Sequence, residues 1–204
     1  MARVDDYINA KKIAVQDLSN DTLSDIANRS GYELVDNNRL RVPFLNRLYI
    51  VSWPDFEFKD ESPEPKEVPI QEQVIILHYL LAKAIITGYS NWISFREIPG
   101  ASFYYSAFVN RAINPLKDIF GNNISLFANA AKCLEGKAFD AGDAAFEFIL
   151  FPHVSLQLII WYGDEEFPSE ANILFNDNIG DILSPEDVAW LSGALVYRLV
   201  ALSR

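Results

Sequence analysis

Cysteine is nearly missing from this chain of 204 residues, which has one, Cys133, together with two histidines, His78 and His153. A single thiol forms no internal disulfide and supplies neither a zinc nor an iron-sulfur site. Any metal site would then depend on carboxylates gathered by folding, and no metal or other cofactor is expected. Basic residues are also scarce: 17 Lys and Arg face 28 Asp and Glu, for a net charge of −11. Such a field repels phosphate backbones and anionic lipid, so neither nucleic acid nor a membrane is an expected partner, whereas a local basic pocket could still hold a small anion.

Long apolar runs are lacking too. The most apolar helical stretch, Pro69 to Ile86, is interrupted by Gln71, Glu72, Gln73, His78 and Lys83, which makes it a core helix instead of a membrane span. The N-terminal MARVDDYINAKK has no apolar stretch or small-residue cleavage site of a secretory signal, and a cytoplasmic location is expected. No glycine-rich phosphate loop or nucleophile elbow occurs. The segment NDNIGDILSPE spaces Gly180 and Glu186 as in a calcium loop, but Phe175 and Ile179 stand where that loop needs side-chain oxygens. Nothing in the sequence identifies a reaction.

What the chain does have is apolar and aromatic content: half of its residues are hydrophobic and 13% aromatic, enough for a sizeable core. Val4, Ile8, Lys11, Val15 and Leu18, largely apolar, fall at helical spacing, and a second helix, capped by Asn20 or Asp21, should stop at Gly31. Tyr32 to Trp53 changes to the period of short strands joined by turns, a small meander. The proline- and acid-rich WPDFEFKDESPEPKEVP reads as an exposed connection. A helix over Ile70 to Ile86, apolar nearly all round, needs cover on several sides.

After the strand WISF, Pro99-Gly100 suits a type II turn, with three successive helices to follow: one capped by Ser102 and reaching about Ala112, one opened by Asn114-Pro115, and one capped by Asn122 or Asn123. Cys133 in the last of these reads as a small buried hydrophobe. Ala145 to Tyr162 is a hairpin with His153 exposed at its tip, and Ser155 and Gln157 suggest a sheet covered on one side only. ANILF adds a strand. Ser184, Pro185, Glu186 and Asp187 start a final helix with a Val188, Leu191, Leu195, Leu199 and Leu202 stripe. The sum is an α+β fold: a single globular domain over 1–204, with N-terminal helices and a small meander in 1–53, a main core in 68–204, and a mostly antiparallel sheet of hairpins packed against several helices.

The stretch most suggestive of a site is NWISFREIPGASFYYSAFVNRAINP. In a regular helix Tyr104, Phe108 and Arg111 share one stripe, placing a guanidinium beside two aromatic faces. Arg96 precedes the turn, and two arginines with tyrosine hydroxyls can hold a carboxylate or phosphate. The competing reading pairs both arginines with nearby carboxylates and gives the aromatics to the core. His78 shares a helical stripe with Gln71 but has no carboxylate at i±3 or i±4 to orient it, which favours a structural histidine.

The succession EVPIQEQVIILHYLL, WISFREIPGASFYYSAFVNRAINPL and FEFILFPHVSLQLIIWYGDEEFPSEANILFNDNIGDILSPEDVAWLSGAL resembles, across Val68 to Leu195, a family of bacterial and archaeal domains of unknown function found largely in anaerobes. The resemblance implies a cytoplasmic domain in a setting of anaerobic one-carbon or corrinoid metabolism. It transfers no catalytic residues. Some members carry an iron-sulfur module, whose cysteines are not present here.

Three functions follow as expectations. The first is a non-catalytic small-ligand-binding or accessory domain using Arg96, Glu97, Tyr104, Tyr105, Arg111 and His78. The second is an enzyme for a small anionic substrate, with the arginines as clamps, His78 or Glu97 as acid or base, and Tyr104 or Tyr105 as donor. The third is a homodimeric interaction protein using an exposed apolar strip on the last helix.

Overall fold

The computed structural model describes residues 4–83 and 91–204. The fold is α+β with two antiparallel sheets, and the chain divides into two compact units. One comprises the described residues up to 83 with Phe151–His153 and Asp181–Leu183; the other comprises 91–150, Val154–Gly180 and Ser184–Arg204.

In the first unit α1 (Val4–Leu18) packs against α3 (Ile70–Leu81), and between them in sequence lie α2 (Leu23–Ser30), β1 (Glu33–Asp36), β2 (Arg39–Phe44), β3 (Arg47–Ser52) and β4 (Phe58–Asp60). The cap of α2 is Thr22, whose hydroxyl accepts from the Asp25 N–H, and not Asn20 or Asp21; the helix ends as expected at Gly31, in the left-handed region at φ 75°. Arg29 donates through Nε and Nη2 to the Leu80 carbonyl and pairs with Asp21 at 2.8 Å, so it satisfies an end group of α3.

The four strands form the meander β1-β2-β3-β4. Along β2 the sequence alternation becomes burial, with Leu40, Val42 and Phe44 inward and Arg39, Arg41 and Pro43 outward. The acidic connection after Trp53 departs from expectation: it contributes β4 and buries Phe56, Asp60, Ser62 and Val68. Asp60 is drawn in because its carboxylate accepts from the N–H groups of Ser62 and Lys66 and lies 3.3 Å from Arg47 Nη1. At the centre Phe151 stacks on Tyr79 at 4.4 Å and on Phe44 at 5.4 Å, with Tyr32 edge-on to Tyr79.

The second unit holds a five-stranded sheet ordered β5-β9-β8-β7-β6, from β5 (Trp92–Ser94), β6 (Lys137–Ala138), β7 (Ala144–Phe151), β8 (Val154–Trp161) and β9 (Glu170–Asn176). β8 is buried on both faces, Ser155 and Gln157 included, so the expectation of one-sided cover fails along this strand. Between β5 and β6 run α4 (Tyr105–Phe108), a π-helical turn (Val109–Ile113), α5 (Asn114–Phe120) and α6 (Ile124–Cys133). α7 (Ile179–Ile182) and α8 (Pro185–Leu202) follow the sheet.

No break falls at Asn114-Pro115. Pro115 has no N–H for the carbonyl four residues back, and instead of ending, the helix widens so that the Asn114 N–H reaches the Val109 carbonyl. Against this turn α8 packs closely at Gly193, where a Cβ would lie 3.2 Å from Arg111 Cβ and from its carbonyl oxygen. Of the stripe Val188, Leu191, Leu195, Leu199 and Leu202, the first four are buried within the chain and Leu202 is half-buried, so these four are not part of an exposed strip such as a dimer reading requires. Cys133 is exposed, contrary to expectation, at the last residue of α6, whose buried residues are Phe127, Ala130 and Ala131. His153, expected at an open tip, is half-buried, with Nε2 about 3.0 Å from where a Cβ on Gly31 would stand.

Candidate functional site

The segment from Arg96 to Arg111 starts from a short β5 and a single 3₁₀ turn, Phe95–Glu97, followed by Pro99-Gly100 with Gly100 at φ 80°, as a type II turn demands. A second 3₁₀ turn, Ala101–Tyr104, takes the place of the helix start expected at Ser102. Phe95 is anchored in the core: it stacks on Phe108 at 4.3 Å and meets Phe175 edge-on at 6.1 Å. Its neighbour Arg96 is exposed, and its guanidinium carbon sits 3.9 Å from the centroid of the Tyr105 ring. Tyr105 is half-buried and held in place by Phe95 and Phe108.

The arginine that meets an aromatic face is thus Arg96 and not Arg111. The stripe expected of Tyr104, Phe108 and Arg111 is broken by a 3₁₀ turn before α4 and the π-helical turn after it, each of which changes the residues per turn. Phe108 is core, Tyr104 donates its hydroxyl to Glu186 Oε2 at 3.3 Å, and Arg111 lies half-buried with its backbone against Gly193. Neither Arg96 nor Arg111 forms an ion pair or hydrogen bond through its side chain among the described residues.

Glu97 and Tyr104 are chemically committed. Glu97 Oε2 accepts from the Ser94 N–H at 2.7 Å and the Ser94 hydroxyl at 2.8 Å, and these bonds hold its carboxyl below the usual range. The Glu186 charge beside Tyr104 pushes that phenol up, and their hydrogen bond adds to it. His78 is half-buried on α3, in the first unit.

A concavity that the sequence did not announce lies in the first unit. It has a volume of about 590 Å³ and is lined by the β1–β2 turn, residues 36–39, with Ser52, Trp53 and Asp55. In sequence these residues signal only turns, and which turns come together is a matter of pairing between strands. Among the described residues no group of three or more His, Cys, Asp or Glu could hold a metal ion, and no helix is long and apolar enough to cross a membrane.

No curated protein and no solved structure matches the chain. A family model does match, over residues 22–198, a wider span than the Val68 to Leu195 of the sequence resemblance. The chain belongs to the family described as Domain of unknown function (DUF3786).

Proposed function

We propose that this chain is a non-catalytic small-ligand-binding or accessory protein of the cytoplasm, whose Arg96–Arg111 segment takes a small anionic ligand. The observation that carries the reading is the Arg96 guanidinium, lying 3.9 Å from the Tyr105 ring centroid with no carboxylate partner among the described residues. The ring holds the guanidinium in place, and its N–H groups, which have no partner among the described residues, suit a carboxylate or phosphate. In a chain of net charge −11, two arginines without ion pairs among the described residues speak against the reading in which neighbouring acids absorb them.

Binding is favoured over catalysis because the candidate acid and donor are occupied and shifted away from neutrality, Glu97 downward and Tyr104 upward. A thermal-shift screen with phosphate, citrate, nucleotides, folates and corrinoids tests the reading, since a ligand of the folded state raises its apparent stability. A compound from this set should stabilise the wild type and lose its effect on Arg96→Ala, and more mildly on Arg111→Ala. A hit indifferent to both substitutions removes the proposed face.

A further inference from the structure

The concavity of the first unit differs in chemistry from the arginine segment. Two turns form its wall. Asp36 and Arg39 are register partners across the β1–β2 turn, with Asn37 and Asn38 between them, and the Trp53 N–H donates to the Asn38 carbonyl at 2.8 Å, tying the second turn to the first. The Ser52 hydroxyl accepts from the Glu57 N–H at 3.3 Å, which braces the second turn from within. The wall is therefore held by hydrogen bonds within the chain.

The lining excludes two ligand classes. Arg39 is already committed, donating through Nε at 2.8 Å and Nη2 at 2.6 Å to Asp36 Oδ2, while Asp36 Oδ1 accepts from the Asn38 N–H at 2.9 Å. Asp55 is exposed and has no partner among the described residues, so the wall carries a residual negative charge that repels anions. No aliphatic side chain lines the space, so an alkyl ligand has little to bury against.

What remains is a dense set of uncharged and acceptor groups around one indole. The side-chain amides of Asn37 and Asn38 have no partner among the described residues, and each presents a donor and an acceptor on one planar group. Trp53 adds aromatic surface. An ammonium ion would use the Asp55 carboxylate but leave the amide N–H groups facing positive charge. Neighbouring hydroxyls use both kinds of group, donating to Asp55 and accepting from the amides. We propose that this basin binds an uncharged polyhydroxylated small molecule, a saccharide, with its hydroxyls on Asn37, Asn38 and Asp55 and its C–H surface against Trp53.

The test is an amide-resolved NMR titration of the full chain with methyl glucoside, N-acetylglucosamine and mannobiose, beside inorganic phosphate and tetramethylammonium. At least one saccharide should shift the signals of residues 36–39 and 52–55 saturably at millimolar concentration, while the two ions leave them in place. Asn38→Ala and Asp55→Ala change exposed side chains, and unchanged signals elsewhere would show that both variants are folded. Each should weaken the saccharide by roughly tenfold, the loss expected for one hydrogen bond to the ligand. The inference is overturned if no saccharide moves these signals, if phosphate or tetramethylammonium moves them instead, or if both variants bind the sugar as the wild type does.

Discussion

Gly31 shows how one residue can be fixed by two independent demands. Its φ of 75° belongs to the left-handed C-cap of α2, and a Cβ there would stand 2.9 Å from Pro152 Cβ and 3.0 Å from His153 Nε2. Gly31→Ala should therefore destabilise by about 1–3 kcal/mol in denaturant unfolding, from backbone strain and overpacking together. The first demand was legible in the sequence, because Gly after a helical pattern is a stop signal; the second was not, because Pro152 and His153 are distant in the chain. His153 itself has its pKa lowered from 6.5 by burial. The folded state then binds this proton more weakly than the unfolded chain does. The contribution is present in full above pH 6.5 and declines as pH falls below it, until the lower folded value is passed. Stability measured against pH should show this decline, and His153→Gln should flatten it. Arg96 and Arg111 make the same point about legibility: composition brought arginines and aromatic rings into one segment, but which guanidinium meets which ring depended on turns that are not α-helical.

At the level of elements, caps and alternation carried through wherever a single local rule was enough. Asn123 accepts from the Leu126 N–H and Ser184 from the Asp187 N–H, as their positions before helical patterns imply, and β2 buries every second residue. The continuous helix through Pro115 and the burial of Asp60 in β4 were hidden because each reverses a local preference, the first through the π-helical turn and the second through tertiary partners. For β4 that partner set is explicit. Burial alone would raise the Asp60 pKa, but the hydroxyl and N–H of Ser62, the N–H of Lys66 and the Arg47 charge together hold it below its ordinary value. Asp60→Ala leaves Arg47 and two N–H groups without this acceptor, and should cost about 1–3 kcal/mol at neutral pH. Because the folded pKa is depressed, the wild-type advantage is present above the unfolded value of 3.8 and disappears as pH falls through the folded one. Urea unfolding of both proteins at neutral and strongly acidic pH should show the difference shrinking; a constant difference would mean that the carboxylate's charge plays no part.

For the whole molecule, the path of the chain matters more than the number of units. Phe151–His153 and Asp181–Leu183 come from the second half of the sequence yet belong to the first unit, which therefore cannot be completed by residues up to 83 alone. Phe151 is 1% exposed and stacked between Tyr79 and Phe44, and Ile182 and Leu183 are also buried. We propose on this ground that 1–204 folds as one cooperative domain. Phe151→Ala should cost about 3–5 kcal/mol, since it removes a ring from a stacked core and leaves a cavity. A fragment ending at residue 87 lacks that ring and should not give a cooperative transition. Two cap substitutions then separate one transition from two. Thr22→Ala weakens α2 in the first unit and Ser184→Ala weakens α8 in the second, each by about 1 kcal/mol. In a single cooperative domain both lower the midpoint of the same calorimetric peak, and the double variant shows the sum. If each substitution moves its own peak, the units melt independently, and the interleaved chain joins two bodies without coupling their stability.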